Sequence, residues 1–260
     1  MINIITAISN PDVNLFEGAI KRYSSFFNLG LDFNWIIQFH SSSQIDEFNI
    51  ESYPFISFDI ADDRSIYDAW NLALKRIKTG NVIFLGLDDI PNFEFLLDAS
   101  KIMLSELDLL STDVKMQSLD SKFSYTRSNP KLGKVSLYKF TYCHPGLVFS
   151  HLLFANKSFN ENYKIISDGL FYSKIPFLNV VGYFPSSGVT MLVGGISNSR
   201  KGARSRFIEL LRALYVGDMD LNRFQLIGLL KSFPAYILSF FPSFLFKFFQ
   251  KTRWMLSSYF

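Results

Sequence analysis

The sequence predicts an α/β fold in which a mostly parallel β-sheet carries helices on both faces, followed by an aromatic-rich, helical C-terminal tail. The first observation is that short apolar, β-branched runs alternate with segments of helical period through residues 3–114, as in consecutive βαβ units. The second is composition. The 260 residues are 48% hydrophobic and 19% charged, which excludes a disordered polyelectrolyte and is enough for one large core.

The first predicted unit is a strand, a helix and a second strand. Residues 3–8 form an apolar run that stops at the turn signal of residues 9–11. Apolar side chains then recur at helical spacing between Leu15 and Tyr23, and Gly30 is placed to end that helix. The next predicted strands are Phe33–Phe39 and Tyr53–Ile60.

A second helix is predicted from Ser65 to Thr79, with Ser65 as its N-cap and Gly80 at its end. A strongly apolar strand follows over Asn81–Leu87 and runs directly into two aspartates, Asp88 and Asp89. The next predicted elements are a helix over Phe93–Glu106 and a strand over Leu107–Val114.

The second half of the chain has a less regular pattern. Residues 118–139 are mixed and polar, with a hairpin or loop expected around Asn129. A basic loop is predicted over Asn198–Arg206 and a helix over Arg206–Tyr215. We therefore predict one nucleotide-binding and catalytic domain over residues 1–215 and a separate tail over residues 216–260.

The tail holds a large share of the 29 phenylalanines, with lysines and arginines between them. The uncharged stretch of residues 232–246 is shorter than the roughly 20 residues that a spanning helix needs, and Pro234 and Pro242 are expected to interrupt a helix. We expect the tail to lie in a membrane interface, with its cations facing anionic lipid. The alternative is a tail packed on the protein's own core or on a second subunit.

Compartment and partners follow from a few bulk features. The net charge of +3 gives no case for nucleic-acid binding. Cys143 stands alone, which excludes a disulfide framework and suits a reducing compartment. The first five residues read as a strand rather than as a signal peptide. We predict a cytoplasmic protein that is peripheral on the inner face of the cell membrane.

Asp88 and Asp89 are the first candidates for chemistry, because ligands of open parallel sheets bind beyond the carboxyl ends of the strands. Two adjacent carboxylates repel each other unless a cation neutralises them. Mg²⁺ or Mn²⁺ carrying a diphosphate would do so, since both ions favour oxygen ligands. The alternative is an ordinary aspartate-rich turn.

A wider pattern surrounds this pair. Residues 63–71 read DRSIYDAWN, and residues 80–89 read GNVIFLGLDD. Together with the helix between them, they resemble the core signature of family 2 glycosyltransferases, D-x-G-I-Y-D-A-x-N, then T-G-[DE], an apolar strand and a double aspartate. The resemblance implies the GT-A fold and transfer of a sugar from a nucleotide-diphosphate sugar.

The resemblance also assigns residues to the donor. Asp63 would contact the nucleotide base or ribose, while Asp88 and Asp89 would hold Mn²⁺ or Mg²⁺. Asp68 would line the nucleotide side, although an acid in a first helical turn also complements the helix dipole. The other residues placed in this donor-binding set are Thr6, Asn71, Asp88, His144 and Arg200.

A second match lies downstream. Residues 144–150 read HPGLVFS, and residues 159–168 read FNENYKIISD, similar to the family's H-x-x-x-x-F and F-[DN]-E-x-[FY]-x-I-x-x-D. By this resemblance Asp168 is the general base, a role open to a carboxylate that is ionised at neutral pH. The alternative is an N-cap or loop acid. His144 would approach the donor or acceptor, or be an ordinary buried histidine.

A third match is residues 194–199, GGISNS, followed by the cations of residues 200–206. A flexible basic loop here would close over the diphosphate; a solvated charge run is the alternative. The segment 39–43, FHSSS, departs from the acidic segment usual in the family, so UDP is only the default nucleotide.

We therefore predict metal-assisted, inverting transfer to a hydroxyl of a lipid-linked or other saccharide acceptor, in surface polysaccharide synthesis. A nucleotidyltransferase is disfavoured, because residues 7–11 lack a glycine-rich basic loop. A catalytically inactive scaffold that binds a partner transferase at the membrane stays as the alternative.

Overall fold

The computed structural model describes residues 1–10, 12–41, 49–118, 123–135, 142–193, 199–219, 223–242 and 246. Its strands are β1 (Ile2–Ile8), β2 (Phe33–His40), β3 (Ile56–Ala61), β4 (Asn81–Phe84), β5 (Ile90–Pro91), β6 (Asp108–Ser118), β7 (Ser124–Arg127), β8 (Gly133–Val135), β9 (Leu147–Ser150) and β10 (Leu178–Val193). Its α-helices are α1 (Val13–Asn28), α2 (Ile66–Leu74), α3 (Phe93–Lys101), α4 (Ser167–Ser173), α5 (Arg200–Tyr215) and α6 (Arg223–Leu238).

All ten of these strands belong to one sheet, whose main order is β3-β2-β1-β4-β9-β6-β10-β5. The first half, β3-β2-β1-β4, is parallel throughout. β9 is antiparallel to both of its neighbours, and β6 and β10 are parallel to each other. The short strands β5, β7 and β8 add antiparallel pairs at the margins. The α/β prediction is confirmed as a mixed sheet. Among the described strands, four pairs are parallel and five are antiparallel, and three of the four parallel pairs lie in the first half.

Helices cover both faces of the sheet, as predicted. On one face α1 and α3 bury an apolar stripe against β1 and β2, and on the other α2 and α4 do so against β4 and β9. The stripe residues are Phe16, Ala19 and Tyr23 of α1, Phe95, Leu96 and Ala99 of α3, Tyr67, Trp70 and Ala73 of α2, and Phe171 and Tyr172 of α4. Each fully buried aromatic removes about 150–250 Å² from water, so these two layers account for much of the stability.

The second helix is shorter than the sequence pattern predicts. Ser65 caps α2 as expected, through its hydroxyl and the amide of Asp68. The chain after Leu74 tightens into i→i+3 bonds, from Arg76 to Ala73 and from Ile77 to Leu74. Those bonds satisfy carbonyls at the helix end and bring the chain to Gly80, whose φ of 87° starts the turn into β4.

The predicted basic loop is wrong for residues 200–206, which form the first turns of α5. Ser199 is the N-cap, and its hydroxyl accepts a hydrogen bond from the Gly202 amide. The stretch 194–198, with the glycine pair of the third motif, lies outside the described residues.

The C-terminal tail contains a helix that continues through Pro234, so the expected interruption there is wrong. α6 packs on α5, and the ring of Phe207 lies 5.5 Å from Phe233 and 4.6 Å from Tyr236. These contacts offset the backbone hydrogen bond that proline cannot make. Among the residues described, no helix combines the length and hydropathy needed to cross a bilayer. The predicted domain boundary at residue 215 stays a prediction.

Candidate functional site

The carboxyl ends of β1 to β4 share one edge of the sheet, because these strands are parallel. Asp63 follows β3 at this edge, and the segment 86–89 follows β4. The order β3-β2-β1-β4 separates these two places by three strand spacings, about 14 Å. An elongated ligand that reaches both would lie across the ends of β2 and β1.

Acidic groups cluster around the end of β3. Burial raises the pKa of Asp63 above its usual range, with smaller upward effects from Asp68 and Asp62, while His40 opposes the shift. Asp68 is held in place by Arg64, which donates to its Oδ2 from the backbone amide at 3.1 Å and from Nε at 3.2 Å. Arg64 also forms an ion pair with Glu161.

Asp88 and Asp89 differ strongly in environment. Asp89 is buried, and its Oδ2 accepts the Gly86 amide at 2.7 Å. Burial raises the pKa of Asp89 to about 7; Asp88 adds to the shift, whereas the Gly86 hydrogen bond and Arg22 oppose it. Asp88 is only half-buried. A Cβ at position 86 would lie 2.8 Å from Asp88 Oδ1, so a larger residue there would require the Asp88 carboxylate to move.

This pair can hold a divalent cation only together with another ligand. The described residues contain no group of three or more His, Cys, Asp or Glu side chains that could hold a metal. Mg²⁺, however, is usually bound by one or two carboxylates plus substrate phosphate oxygens and water. Two adjacent carboxylates at the strand edge fit that requirement, with Asp88 the more accessible.

Asp168 lies in the first turn of α4, partly exposed. Its Oδ1 accepts two hydrogen bonds, from the Tyr67 hydroxyl at 3.0 Å and from the Gly169 amide at 2.8 Å. Burial, reinforced by the Asp168 charge, raises the pKa of Tyr67 well above its ordinary value. The phenol therefore keeps its proton and acts as a donor.

The loop that leads to Asp168 is held by α2. Asn71 is buried, donates from Nδ2 to the Phe159 carbonyl at 2.9 Å and accepts the Phe159 amide at 2.9 Å. Its Nδ2 also lies 3.1 Å from Glu161 Oε1. Both polar atoms of the Asn71 side chain are thus used inside the protein.

The same loop is held from its other side by α5 and the turn after it. Glu209 accepts the amide of Lys164 at 2.9 Å through Oε1, and the amides of Ile165 and Ile166 at 2.9 and 3.3 Å through Oε2. Asp218 accepts the Tyr163 hydroxyl at 2.7 Å. The roles of Tyr67, Glu209 and Asp218 could not be predicted from the sequence, because nothing in their local sequence shows which distant groups they contact.

His144 lies deep beside this loop. Its ring stacks on Trp70 with centroids 4.9 Å apart and an 8° interplanar angle, and its Nδ1 lies 2.8 Å from the Tyr172 hydroxyl. Burial lowers the pKa of His144 to about 4, opposed by the charge of Asp168. Within the described part of the chain, its buried Nε2 has no hydrogen-bond partner. The histidine is therefore neutral at physiological pH.

The charges of Asp89 and Asp168 both act on the buried thiol of Cys143. Burial is the main cause that raises the pKa of Cys143 to about 11, and the charges of Asp89 and Asp168 both add to the shift, against Arg127. Both carboxylates therefore lie within electrostatic range of one buried group, although 79 positions separate them in the sequence.

Two other candidate side chains have partners elsewhere in the protein. The Thr6 hydroxyl is buried and accepts the indole N–H of Trp35 at 2.9 Å. Arg200 donates from Nε to the Ser239 carbonyl at 2.9 Å, at the C-terminal end of α6.

Comparison with known proteins bears on the fold. No model of a known protein family matches the chain, and no curated protein matches it. Solved structures do match. The structure of TarS from S. aureus, a glycosyltransferase, has a TM-score of 0.57 and 16% identity over 92% of this chain.

Two complexes of TarS 1-349 are also similar. The complex with UDP-GlcNAc has a TM-score of 0.53 and 14% sequence identity, and the match covers 92% of this chain and 72% of that one. The complex with UDP has a TM-score of 0.52 and 17% sequence identity, and the match covers 88% of this chain and 71% of that one. The chain spans 44% of the longer TarS structure. At this identity the likeness concerns the fold: the protein has a mixed α/β architecture similar to that of TarS.

Proposed function

We propose that this protein transfers a sugar from a nucleotide-diphosphate sugar, a UDP-sugar by default, to an acceptor hydroxyl with inversion at the anomeric carbon. The observation that carries the proposal is the placement of Asp63 after β3 and of Asp88 and Asp89 after β4, at one edge of a parallel half-sheet. The fold is similar to that of TarS 1-349, which is seen with UDP-GlcNAc and UDP. The family 2 motifs point to the same chemistry.

The donor would lie across the carboxyl edge of the sheet. Asp63 would meet the nucleoside, and Asp88 and Asp89 would hold Mn²⁺ or Mg²⁺ beside the diphosphate. When bound, that ion supplies charge neutralisation for the departing phosphate. Asp68 and Asn71 are bonded within the protein, and we assign them to the support of this site.

Asp168 would act as the general base. Its carboxylate takes the proton of the acceptor hydroxyl as the oxygen attacks the anomeric carbon and the nucleotide diphosphate leaves from the opposite side. One displacement of this kind inverts the anomeric configuration without a covalent enzyme intermediate. The neutral His144 ring would form part of the wall near the reacting groups.

We further propose that the acceptor is a lipid-linked saccharide of surface polysaccharide synthesis, and that the protein works at the inner face of the cell membrane. Residues 221–260 contain five cations and no acid. On α6 and just beyond it, apolar side chains stay at least 41% exposed, which suits an anionic bilayer. They are Leu230, Phe233, Ile237, Phe240 and Phe241.

Donor binding is tested by calorimetric titration with UDP-, GDP- and dTDP-sugars, with and without Mn²⁺, on the wild type and on Asp89→Ala. We expect one nucleotide class to bind, with metal dependence that Asp89→Ala loses. Asp168→Asn should bind the same donor but lose transfer by about 10²-fold or more. A complete lack of metal-dependent binding would favour the inactive scaffold.

The membrane part is tested separately by flotation with vesicles that contain or lack anionic lipid. We expect binding that needs anionic lipid and that weakens in a Phe240→Ser, Phe241→Ser double variant. Full-rate glycosylation of a vesicle-borne lipid-linked acceptor by a chain truncated after Asp220 would contradict the role of the tail.

A further inference from the structure

We propose that Tyr67 is a positioning residue for Asp168: its phenol fixes Oδ1 of the carboxylate, so that Oδ2 is the oxygen that meets the acceptor hydroxyl. This inference rests on the proposed function, since it assumes that Asp168 takes the acceptor proton. Its basis is the hydrogen bond of 3.0 Å between two side chains that stand 101 residues apart.

The direction of the phenol is set by packing. Tyr67 is 4% exposed. Its ring meets Trp70 edge-on, with centroids 5.3 Å apart at 87°, and lies 5.7 Å from the ring of Phe159. A ring enclosed on two sides in this way has little freedom to turn its hydroxyl elsewhere.

The two carboxylate oxygens of Asp168 differ in their hydrogen bonds. Oδ1 accepts both the Tyr67 hydroxyl and the Gly169 amide. Of the residues that the structure describes, none donates to Oδ2. A carboxylate held at one oxygen keeps the lone pairs of the other for a ligand, and fixed orientation of a base is what proton transfer in a bound complex requires.

The phenol also ties the base to the loop before it. The Tyr67 hydroxyl lies 3.0 Å from the Ile165 carbonyl as well as from Asp168. Of these two acceptors the carboxylate is charged and forms the stronger bond. One hydroxyl thus sets the place of α4 relative to α2 and the direction of the carboxylate.

The test compares wild type, Tyr67→Phe, Asp168→Asn and Tyr163→Phe. Tyr67→Phe keeps the packed ring and removes only the hydroxyl. Tyr163→Phe is the matched control, because it removes another tyrosine–aspartate bond, to Asp218, and leaves the donors to Asp168 in place. The probe reaction is hydrolysis of UDP-GlcNAc with Mn²⁺, followed by UDP release.

For Tyr67→Phe we expect kcat to fall roughly 10-fold or more at an unchanged donor KM. A wild-type kcat in Tyr67→Phe would overturn the proposal.

Failure of the proposed function has a different signature, namely a wild-type rate in Asp168→Asn. A readout independent of turnover is the carboxyl ¹³C chemical shift of Asp168 at a fixed pH, assigned by its absence in Asp168→Asn. A chemical shift that changes in Tyr67→Phe but not in Tyr163→Phe supports the positioning role even without hydrolysis, whereas a chemical shift unchanged in Tyr67→Phe refutes it.

Discussion

The side chain of Asn71 makes two hydrogen bonds of 2.9 Å to the backbone of Phe159, one as donor through Nδ2 and one as acceptor through Oδ1. Asn71 ends the first motif of the chain, DRSIYDAWN, and Phe159 begins the later motif FNENYKIISD. The two motifs are therefore parts of one physical unit, in which α2 carries the loop that presents Asp168.

Asn71→Ala should destabilise the protein. The variant leaves the Phe159 amide and carbonyl buried without partners, which costs about 2–4 kcal/mol in free energy of unfolding. Urea denaturation measures this. The control is Asn156→Ala, at an exposed position. Unchanged stability with a weakened donor Kd would instead give Asn71 a direct role in donor binding.

Glu209→Gln should loosen the loop from the α5 side. Glutamine keeps one acceptor oxygen, but an NH₂ group replaces the other. That NH₂ group is a donor and would face backbone N–H groups that now donate to the Glu209 carboxylate. We expect a loss of about 1–3 kcal/mol in free energy of unfolding and slower transfer at unchanged donor affinity.

The matched control for Glu209→Gln is Glu17→Gln on the exposed side of α1, which should change neither quantity. Hydrogen exchange of the amides of residues 164–166 gives a local measurement. If their protection in Glu209→Gln equals that of the wild type, the carboxylate does not hold this loop.

His144 should make stability depend on pH. Its folded pKa of about 4 lies below its ordinary value of 6.5, so the unfolded chain binds more protons between these values. The free energy of unfolding therefore falls as the pH is lowered from 6.5 to 4, by up to about 3 kcal/mol. Thermal unfolding at a series of pH values measures the slope.

Two variants isolate the histidine from other groups. His144→Phe keeps a ring beside Trp70 and should lose this part of the slope. Tyr172→Phe removes the same hydrogen bond but keeps the buried imidazole, so the slope should persist. The raised pKa of Asp89 makes the free energy of unfolding change with pH in the opposite direction over an overlapping range. This contribution is the same in all three proteins and does not affect their comparison. Equal slopes in His144→Phe and the wild type would contradict the prediction.

Asp89→Asn should stabilise the ligand-free protein while weakening metal-dependent donor binding. Burial raises the pKa of Asp89 from 3.8 to about 7. Above pH 7 the buried carboxylate is charged, which lowers the free energy of unfolding. Removing that charge should add up to about 4 kcal/mol at pH 8, and the gain should vanish near pH 4. The asparagine oxygen can still accept the Gly86 amide.

Asp88→Asn is the comparison for this prediction, since Asp88 is only half-buried. It should change the stability of the ligand-free protein little and still reduce metal-dependent binding of the donor. Loss of stability at pH 8 in Asp89→Asn would show that the carboxylate has a stabilising partner, contrary to the prediction.

Local patterns predicted much of the first half of the fold. Strand β1, helix α1 and strand β2 follow from apolar periodicity and from Gly30, because each signal lies within a few residues of its effect. The place of Asp63 and of Asp88 at one edge follows from parallel strands alone. The roles assigned to them came from the motif resemblance and stay predictions.

The start of α5 shows what local signals could not supply. Cations at a helix N-terminus oppose the helix dipole, so the sequence favours a loop over residues 200–206. In the folded protein Arg200 and Arg204 donate to the Ser239 carbonyl at the end of α6. The electronegative end of one helix thus compensates the cations at the start of another, a contact that depends on how the helices pack.

The sequence by itself determined the alternation of strands and helices, the caps at Ser65 and the turn at Gly80, and the acidic ends of β3 and β4, since all of these depend on neighbours along the chain. Only the tertiary structure decided that Tyr67 meets Asp168, that Glu209 holds residues 164–166, and that His144 is buried and neutral. These are contacts across 40 to 100 residues, and burial and hydrogen-bond partners at that separation are set by the packing of whole helices on the sheet.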